Sequence, residues 1–194
     1  MKKAFVIFII IVFSSCAGLK KNEAINNYIN SYSNDTTIFV IKEKINTNKT
    51  IDIFRGKPYI NPNTGKTERY EGARGTLYNE KDLEKMYKRY VYPKSDSIWL
   101  EAKKWESSDF DRINIKFLNR SDFPNLINIK NDNSKDITVY SFSETVRYGG
   151  RYNVFTVAKS YSHGLYFGTL TAIVMEKVNG KWTVIQEISD YEVQ

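Results

Sequence analysis

The sequence predicts an α+β domain, and three observations carry that prediction. Apolar residues recur at helical spacing twice in the first half, over about 22–33 and 80–91. The last third instead contains four strand-length runs separated by turns, and Asn179-Gly180 is the strongest hairpin signal among these turns. Helices early and strands late are typical of helices packed on a sheet. We therefore expect an antiparallel sheet with a C-terminal four-stranded meander and about two helices packed on one face.

The two helices are predicted from apolar residues at three- and four-residue steps. In the first helix these residues are Ala24, Ile25, Tyr28, Ile29 and Tyr32. In the second they are Leu83, Met86, Tyr87, Tyr90 and Val91. Asn79 is a favourable N-cap for the second helix, and Asp82 places a negative charge near its positive end.

Strands are also expected before the last third. The β-branched run 36–45 predicts one strand, 46–49 a turn and 50–55 its partner strand. The segment 97–105 fits either a helix or a strand, and we favour a strand. A further strand is predicted over 113–118.

A polar stretch after Arg55 predicts a protruding hairpin. The sequence 61–65, Asn-Pro-Asn-Thr-Gly, is a strong turn signal. The segments 59–60 and 67–70 flank it and are expected to pair.

The four strand candidates of the last third are 137–146, 152–161, 165–178 and 182–188. A two-residue turn at Asn179-Gly180 places three pairs opposite each other: Lys177 with Trp182, Met175 with Val184 and Val174 with Ile185. One buried face is then expected to contain Ile173, Met175, Trp182, Val184 and Ile188.

The first sixteen residues have the layout of an export signal. Lys2 and Lys3 precede an unbroken apolar run over 4–13, which spans only about 15 Å as a helix and is too short for a stable membrane span. Phe13-Ser14-Ser15-Cys16 then ends the segment, and Cys16 is the only cysteine of the chain.

This layout resembles the signal peptide and lipobox of bacterial lipoproteins, with Phe13 where that family usually has leucine. The resemblance implies cleavage before Cys16, a diacylglycerol on its sulfur and an acylated amino terminus. Two alternatives remain: an ordinary secreted chain with an incidental cysteine, and an uncleaved N-terminal anchor. A lone thiol has no intramolecular disulfide partner, which favours lipidation.

Three regions follow from this interpretation: a signal peptide over 1–15, a lipidated tether over 16–21 and a single α+β domain over 22–194. Without the two signal lysines, 27 basic residues face 22 acidic ones, so the mature net charge is about +5.

Ala17 is not the aspartate that commonly signals retention in the inner membrane, so we expect attachment to the outer membrane. The C-terminal sequence Val-Asn-Gly-Lys-Trp (178–182) also resembles uncharacterised envelope lipoproteins of Gram-negative bacteria, which implies a location and a fold class but no catalytic residues.

Motifs for metal, cofactor or nucleophilic chemistry are weak in this sequence. With one histidine, His163, and one cysteine committed to lipid, a zinc site is not expected. The segment 131–136 approaches a calcium loop but lacks its glycine and its final glutamate. No nucleophile elbow, phosphate loop or nucleic-acid motif occurs. We expect no cofactor, no metal and no nucleic-acid partner, and we name no catalytic residue.

The basic stretch 55–74 is the predicted binding surface. It interleaves cations and tyrosines suited to an anionic glycan, lipid or protein of the envelope. Its candidate residues are Arg55, Lys57, Tyr59, Lys66, Arg69, Tyr70 and Arg74. The simpler alternative is a solvated hairpin of mixed charge. A second candidate surface comprises Tyr161, His163, Tyr166 and Phe167, and its simpler alternative is cross-strand packing.

The expected function is therefore that of a lipid-anchored envelope protein with a non-catalytic binding domain. The alternative is a hydrolase that acts on an envelope polymer with paired carboxylates. A third possibility is a periplasmic inhibitor or immunity-type protein, which is also an interaction function.

Overall fold

A computed structural model describes residues 22–33, 37–70, 72–73, 77–93, 95, 97–111, 114–122, 137–161 and 168–190. They form an α+β fold with three helices: α1 (Glu23–Tyr32), α2 (Thr47–Arg55) and α3 (Glu80–Tyr90). The strands are β1 (Ile38–Ile41), β2 (Glu43–Ile45), β3 (Lys57–Ile60), β4 (Thr67–Tyr70), β5 (Trp99–Lys104), β6 (Ile115–Leu118), β7 (Thr138–Phe142), β8 (Val146–Tyr148), β9 (Tyr152–Tyr161), β10 (Thr171–Val178) and β11 (Lys181–Ser189). In this part of the chain no helix is both long and apolar enough to cross a bilayer.

Seven strands form one mixed sheet in the order β11-β10-β9-β7-β1-β6, with β8 also paired to β9. The strands β7 to β11 pair with one another antiparallel, which confirms the C-terminal meander. Strand β1, which lies next to the edge strand β6, instead runs parallel to both β6 and β7. Apolar periodicity shows which residues form a strand but not its direction, so this mixed arrangement was not anticipated. Two-stranded sheets β2–β5 and β3–β4 complete the described strands.

Helices cover both faces of the main sheet. Two helices pack on one face, the number expected, but they are α2 and α3, of which only α3 was among the predicted helices; Phe54 and Met86 join a core there that includes Val154. The third helix, α1, covers the opposite face through Tyr28, whose ring lies edge-on to Phe155 at 5.5 Å. Val154 and Phe155 are sequence neighbours on β9, so the strand's alternation sends their side chains to different cores. Burying a Phe side chain fully contributes about 2–3 kcal/mol.

The segment 50–55 is part of helix α2, so the predicted partner strand there was wrong. The Asn46 side chain accepts a hydrogen bond from the Asn48 amide and caps the helix, and Gly56 ends it at a φ of 72°. The buried residues recur at helical spacing: Thr47, Thr50, Ile51, Ile53 and Phe54. Their β-branched side chains suggested a strand, but the cap and the packing against the sheet outweigh that propensity.

The β10–β11 hairpin has the expected register only near its turn. Two predicted pairs are confirmed, Lys177 with Trp182 and Met175 with Val184. A register shift between Val174 and Met175 then places Gln186, and not Ile185, opposite Val174. Because one extra residue reverses the alternation, Ile188 packs in the core on the α2 side and not with Ile173 as predicted.

The other elements follow the sequence predictions more closely. The helices over 22–33 and 80–91 and the strands over 97–105 and 113–118 are confirmed with slightly shorter bounds, and the strand over 152–161 has the predicted bounds. Two predicted strands are each divided, 36–45 at Lys42 and 137–146 at residues 143–145. The strand predicted over 165–178 begins at Thr171, and residues 162–167 lie outside the described part of the chain.

Candidate functional site

The hairpin formed by β3 and β4 carries most of the predicted binding residues. Its backbone register pairs Lys57 with Tyr70 and Tyr59 with Glu68. The turn is closed by a hydrogen bond of 2.8 Å from the Gly65 amide to the Asn61 carbonyl, and Gly65 has a φ of 64° that favours glycine. The predicted hairpin is thus confirmed.

The base of this hairpin is fixed to the end of α2. A Cβ atom on Gly72 would lie 2.7 Å from the Gly56 nitrogen, so only glycine fits this close approach of two backbones. The Ala73 amide donates to the Phe54 carbonyl at 2.8 Å. These contacts place the hairpin beside Arg55, the last residue of α2.

A surface cavity of about 300 Å³ lies next to the hairpin base. It is lined by Arg55 and by five residues on one face of α3: Glu80, Leu83, Glu84, Tyr87 and Lys88. The Arg55 Nε atom is buried and has no hydrogen-bond partner among the described residues. A buried donor without a partner costs about 1–3 kcal/mol, and this cost would be relieved if a shift of the Arg55 side chain brought Nε to a ligand oxygen. We call this feature the Arg55 cavity.

The first turn of α3 is held rigidly against the sheet. The Asn79 side chain caps the helix by accepting from the Asp82 amide at 3.1 Å. The Tyr148 hydroxyl accepts from the Asn79 amide at 2.8 Å and donates to the Leu77 carbonyl at 2.6 Å. Burial raises the pKa of Tyr148, so its phenol keeps this donated proton at neutral pH. The cavity wall formed by α3 is therefore preorganised.

The Arg55 cavity combines both signs of charge with apolar surface. Arg55 and Lys88 supply cations, Glu80 and Glu84 supply carboxylates, and Leu83 and Tyr87 supply the apolar part of the lining. A guanidinium binds carboxylate or phosphate groups through paired donors, and a tyrosine ring offers a stacking surface. Its volume is at the lower end of the range for small-molecule sites, so it suits one sugar ring or a similarly small anionic group.

A second charged cluster lies where β7 gives way to β8, and the sequence did not reveal it. Lys44 is only 5% exposed, and its Nζ donates to Glu144 Oε1 at 2.9 Å. The same Nζ lies 4.3 Å from the Trp105 ring centroid. Lys103 Nζ lies 3.7 Å from the other Glu144 oxygen and donates to the Tyr92 hydroxyl. These residues form the Glu144 cluster.

The charges of the Glu144 cluster are mutually satisfied. Burial is the largest single influence on Glu144 and opposes its ionisation, but the hydrogen bonds and charges of Lys44 and Lys103 together hold its pKa below the usual value. The hydrogen bond to Tyr92 raises the pKa of Lys103. Glu144 and Lys103 are therefore charged at neutral pH, and their contacts with the buried Lys44 and with Tyr92 indicate a structural role. Lys44 and Glu144 are 100 residues apart in the sequence, and no local pattern connects them.

Of the two predicted binding residues whose side chains the structure describes, Arg55 and Lys66, only Arg55 lines the cavity. Lys66 is exposed at the hairpin turn. Four others lie on the paired strands: Lys57, Tyr59, Arg69 and Tyr70. Arg74 and the lipidation candidate Cys16 lie outside the described residues. The sequence analysis missed the α3 side of the cavity, although the cavity residues Glu80, Glu84, Tyr87 and Lys88 recur at helical spacing and were available as a signal.

Most of the remaining candidates lie outside the part of the chain that the structure describes. His163, Tyr166, Phe167 and the segment 131–136 lie outside the described residues, and Tyr161 ends β9. Within the described ranges, no group of three or more His, Cys, Asp or Glu residues is placed to hold a metal ion. Comparisons with protein-family models, curated proteins and solved structures found no match to this chain.

Proposed function

We propose that this chain is a lipid-anchored cell-envelope protein whose α+β domain binds an anionic envelope component at the Arg55 cavity and the adjoining hairpin. One observation carries this proposal. Arg55 lines a ligand-sized cavity, and its buried Nε lacks a hydrogen-bond partner among the described residues. The ligand class is an anionic glycan bearing carboxylate or phosphate groups. The domain acts by binding, and Cys16 supplies the anchor.

The anchor is supported by the sequence of residues 1–16. A short apolar run, small residues and a single cysteine suit cleavage and acylation, and two or three acyl chains hold a protein firmly where one holds it weakly. The protein is then expected in the outer membrane. Cys16→Ser should move it from the membrane fraction to the soluble fraction, and a Cys16→Ser protein that still sediments with membranes would contradict lipidation.

Binding is tested by calorimetric titration with soluble anionic glycan fragments of the envelope. Losing one charge-assisted hydrogen bond costs about 1.5–3 kcal/mol, so Arg55→Met should weaken binding about 10- to 100-fold. Arg89→Met is the matched control, because Arg89 is an exposed α3 residue that does not line the cavity. Equal affinities of the two variants would contradict the proposal. Anionic vesicles and an acidic protein, titrated in parallel, distinguish the glycan from the other two ligand classes.

The hairpin contributes a longer-range attraction in this proposal. Charge reversal at Arg69 and Arg74 should weaken binding at low salt more than at high salt, because exposed charges act over a Debye length of about 10 Å at 0.1 M salt. Affinity titrations at two salt concentrations measure this difference. Unchanged affinity at low salt would remove the hairpin from the binding surface.

One observation favours hydrolysis of an envelope polymer as a second candidate function. Glu80 and Glu84 line the same cavity and are four residues apart on α3, which places them on one helix face. Glycosidases use two carboxylates about 5–10 Å apart, and the Tyr78 hydroxyl already donates to Glu80. If the domain is an enzyme, Glu80→Gln or Glu84→Gln should abolish release of polymer fragments but preserve binding. A wild-type protein that binds the polymer without releasing fragments would exclude hydrolysis.

A further inference from the structure

Helix α1 begins beside the end of the main sheet that carries the β10–β11 turn. Glu23, the first residue of α1, accepts from Lys177 Nζ at 3.0 Å, and Lys177 comes just before the β10–β11 turn. Asn22 donates to the Asp109 carbonyl at 3.3 Å. These contacts fix the point at which the N-terminal tether meets the folded domain.

The tether from this point to the anchor is short. Five residues separate Cys16 from Asn22, and a fully extended chain of six residue steps spans at most about 22 Å. Given the lipid anchor of the proposed function, on which this inference rests, the β10–β11 turn is held within that distance of the membrane surface.

The end of the sheet near the tether is basic. The β8–β9 turn lies beside the β10–β11 turn, because Tyr152 pairs with Glu176 across β9 and β10. Four cations gather at these turns: Arg147, Arg151, Lys177 and Lys181. Three acids and one further cation also lie there: Arg151 pairs with Glu176, Lys177 pairs with Glu23, and Asp82, which pairs with Lys85, lies beside Gly149 of the β8–β9 turn. The balance is about two positive charges.

An apolar residue lies at the tip of this basic end. Val178 is 45% exposed and immediately precedes the Asn179-Gly180 turn, in which both residues have positive φ. An exposed apolar side chain surrounded by cations suits the boundary between lipid headgroups and acyl chains.

We propose that the β8–β9 and β10–β11 turns dock on the anionic phospholipid headgroups of the membrane that holds Cys16. In this arrangement Val178 contacts the interface, and Lys181 and Arg147 contact lipid phosphates. The domain then has a fixed orientation on the membrane, because the lipid anchor and the docked turns attach the same end of the sheet. We call these two turns the docking end.

A fluorescent label tests the docking end on the lipidated full-length protein. The chain has one cysteine, which the lipid blocks, so Val178→Cys provides a single thiol for an environment-sensitive dye. Thr169→Cys is the matched control, because Thr169 is exposed and precedes the opposite end of β10, at least about 24 Å away. In vesicles containing phosphatidylglycerol, the dye at 178 should shift to the blue and be quenched by headgroup-labelled lipid, whereas the dye at 169 should behave as in water.

Neutralising the cations provides a second measurement. Each cation near an anionic surface raises membrane partitioning about fivefold. Lys181→Gln, introduced into the labelled Val178→Cys protein, should therefore lower the ratio of docked to undocked protein about fivefold. Pure phosphatidylcholine vesicles should lower this ratio further.

The possible outcomes distinguish a failure of the docking proposal from a failure of the lipid-anchor proposal. Intact mass first establishes whether Cys16 carries lipid; a protein without lipid contradicts both the anchor and the docking. A lipidated protein in which the dyes at 178 and 169 behave alike overturns the docking and leaves the anchor intact.

Discussion

The Arg55 cavity and the Glu144 cluster both hold a buried cationic atom near carboxylates, but they differ in whether that atom is satisfied. Lys44 Nζ donates to Glu144 and lies over the Trp105 ring. Arg55 Nε has no hydrogen-bond partner within the described part of the chain, and the Arg55 residue is among those that line an open cavity. A satisfied buried charge maintains the fold, whereas an unsatisfied one next to a cavity is suited to a ligand.

Removal of the Glu144 carboxylate should have the largest effect on stability. Breaking a buried ion pair costs about 3–5 kcal/mol, and because the Glu144 side chain is 32% exposed we expect about 2–3 kcal/mol for Glu144→Gln. Urea unfolding at pH 7 measures this free energy. The control is Glu101→Gln on the exposed surface of β5, with an expected change below about 0.5 kcal/mol. A similarly small change for Glu144→Gln would contradict the structural role of the cluster.

The hydroxyl cluster beside Glu144 should have the next largest effect. Ser143 Oγ accepts from Thr50 Oγ1 at 2.9 Å and from the Thr156 amide at 2.8 Å, and all three residues are fully buried. Ser143→Ala leaves both donors without this acceptor, so the free energy of unfolding should fall by about 1–3 kcal/mol. Urea denaturation tests this. A neutral result would mean that water or a shifted side chain replaces the lost acceptor.

The stability contributed by Glu144 should depend on pH in a defined direction. Its folded-state pKa lies below the unfolded value of about 4.5, so the contribution is present above pH 4.5 and is lost as the pH falls through the folded-state pKa. The difference in unfolding free energy between wild type and Glu144→Gln should therefore shrink below pH 4.5. Urea titrations from pH 7 to pH 3 measure it, and a difference that grows in acid would contradict the lowered pKa.

Arg55→Met should have the smallest effect on stability. The substitution removes a buried donor that lacks a hydrogen bond, so we expect the free energy of unfolding to change by less than about 1 kcal/mol in either direction. Thermal and urea unfolding measure it. A loss comparable to that of Glu144→Gln would show that Arg55 supports the fold and would remove the contrast between the two regions.

Local patterns predicted most of the elements and one part of the site. Helical spacing located α1 and α3, and Asn-Gly located the β10–β11 hairpin. These signals succeed because each depends on residues close together in the chain. Arg55 was selected from the charge of its own segment, and it does line a cavity.

The failures all involve information that is not local. Helix α2 appeared to be a strand because β-branched residues favour strands, and its packing against the sheet outweighs that preference. The bulge that redirects Ile188 depends on the pairing of β10 with β11 at a distance from the turn. The Glu144 cluster joins β2, β5 and the β7–β8 connection, which only the topology brings together.

The most direct test of the account is to measure stability and glycan affinity together for Arg55→Met and Glu144→Gln, both at a temperature where each variant is folded. We predict that Arg55→Met loses about 10- to 100-fold in affinity with nearly unchanged stability, whereas Glu144→Gln loses about 2–3 kcal/mol of stability with unchanged affinity. If Arg55→Met binds the glycan as tightly as wild type, the Arg55 cavity is not the binding site and the central claim is contradicted.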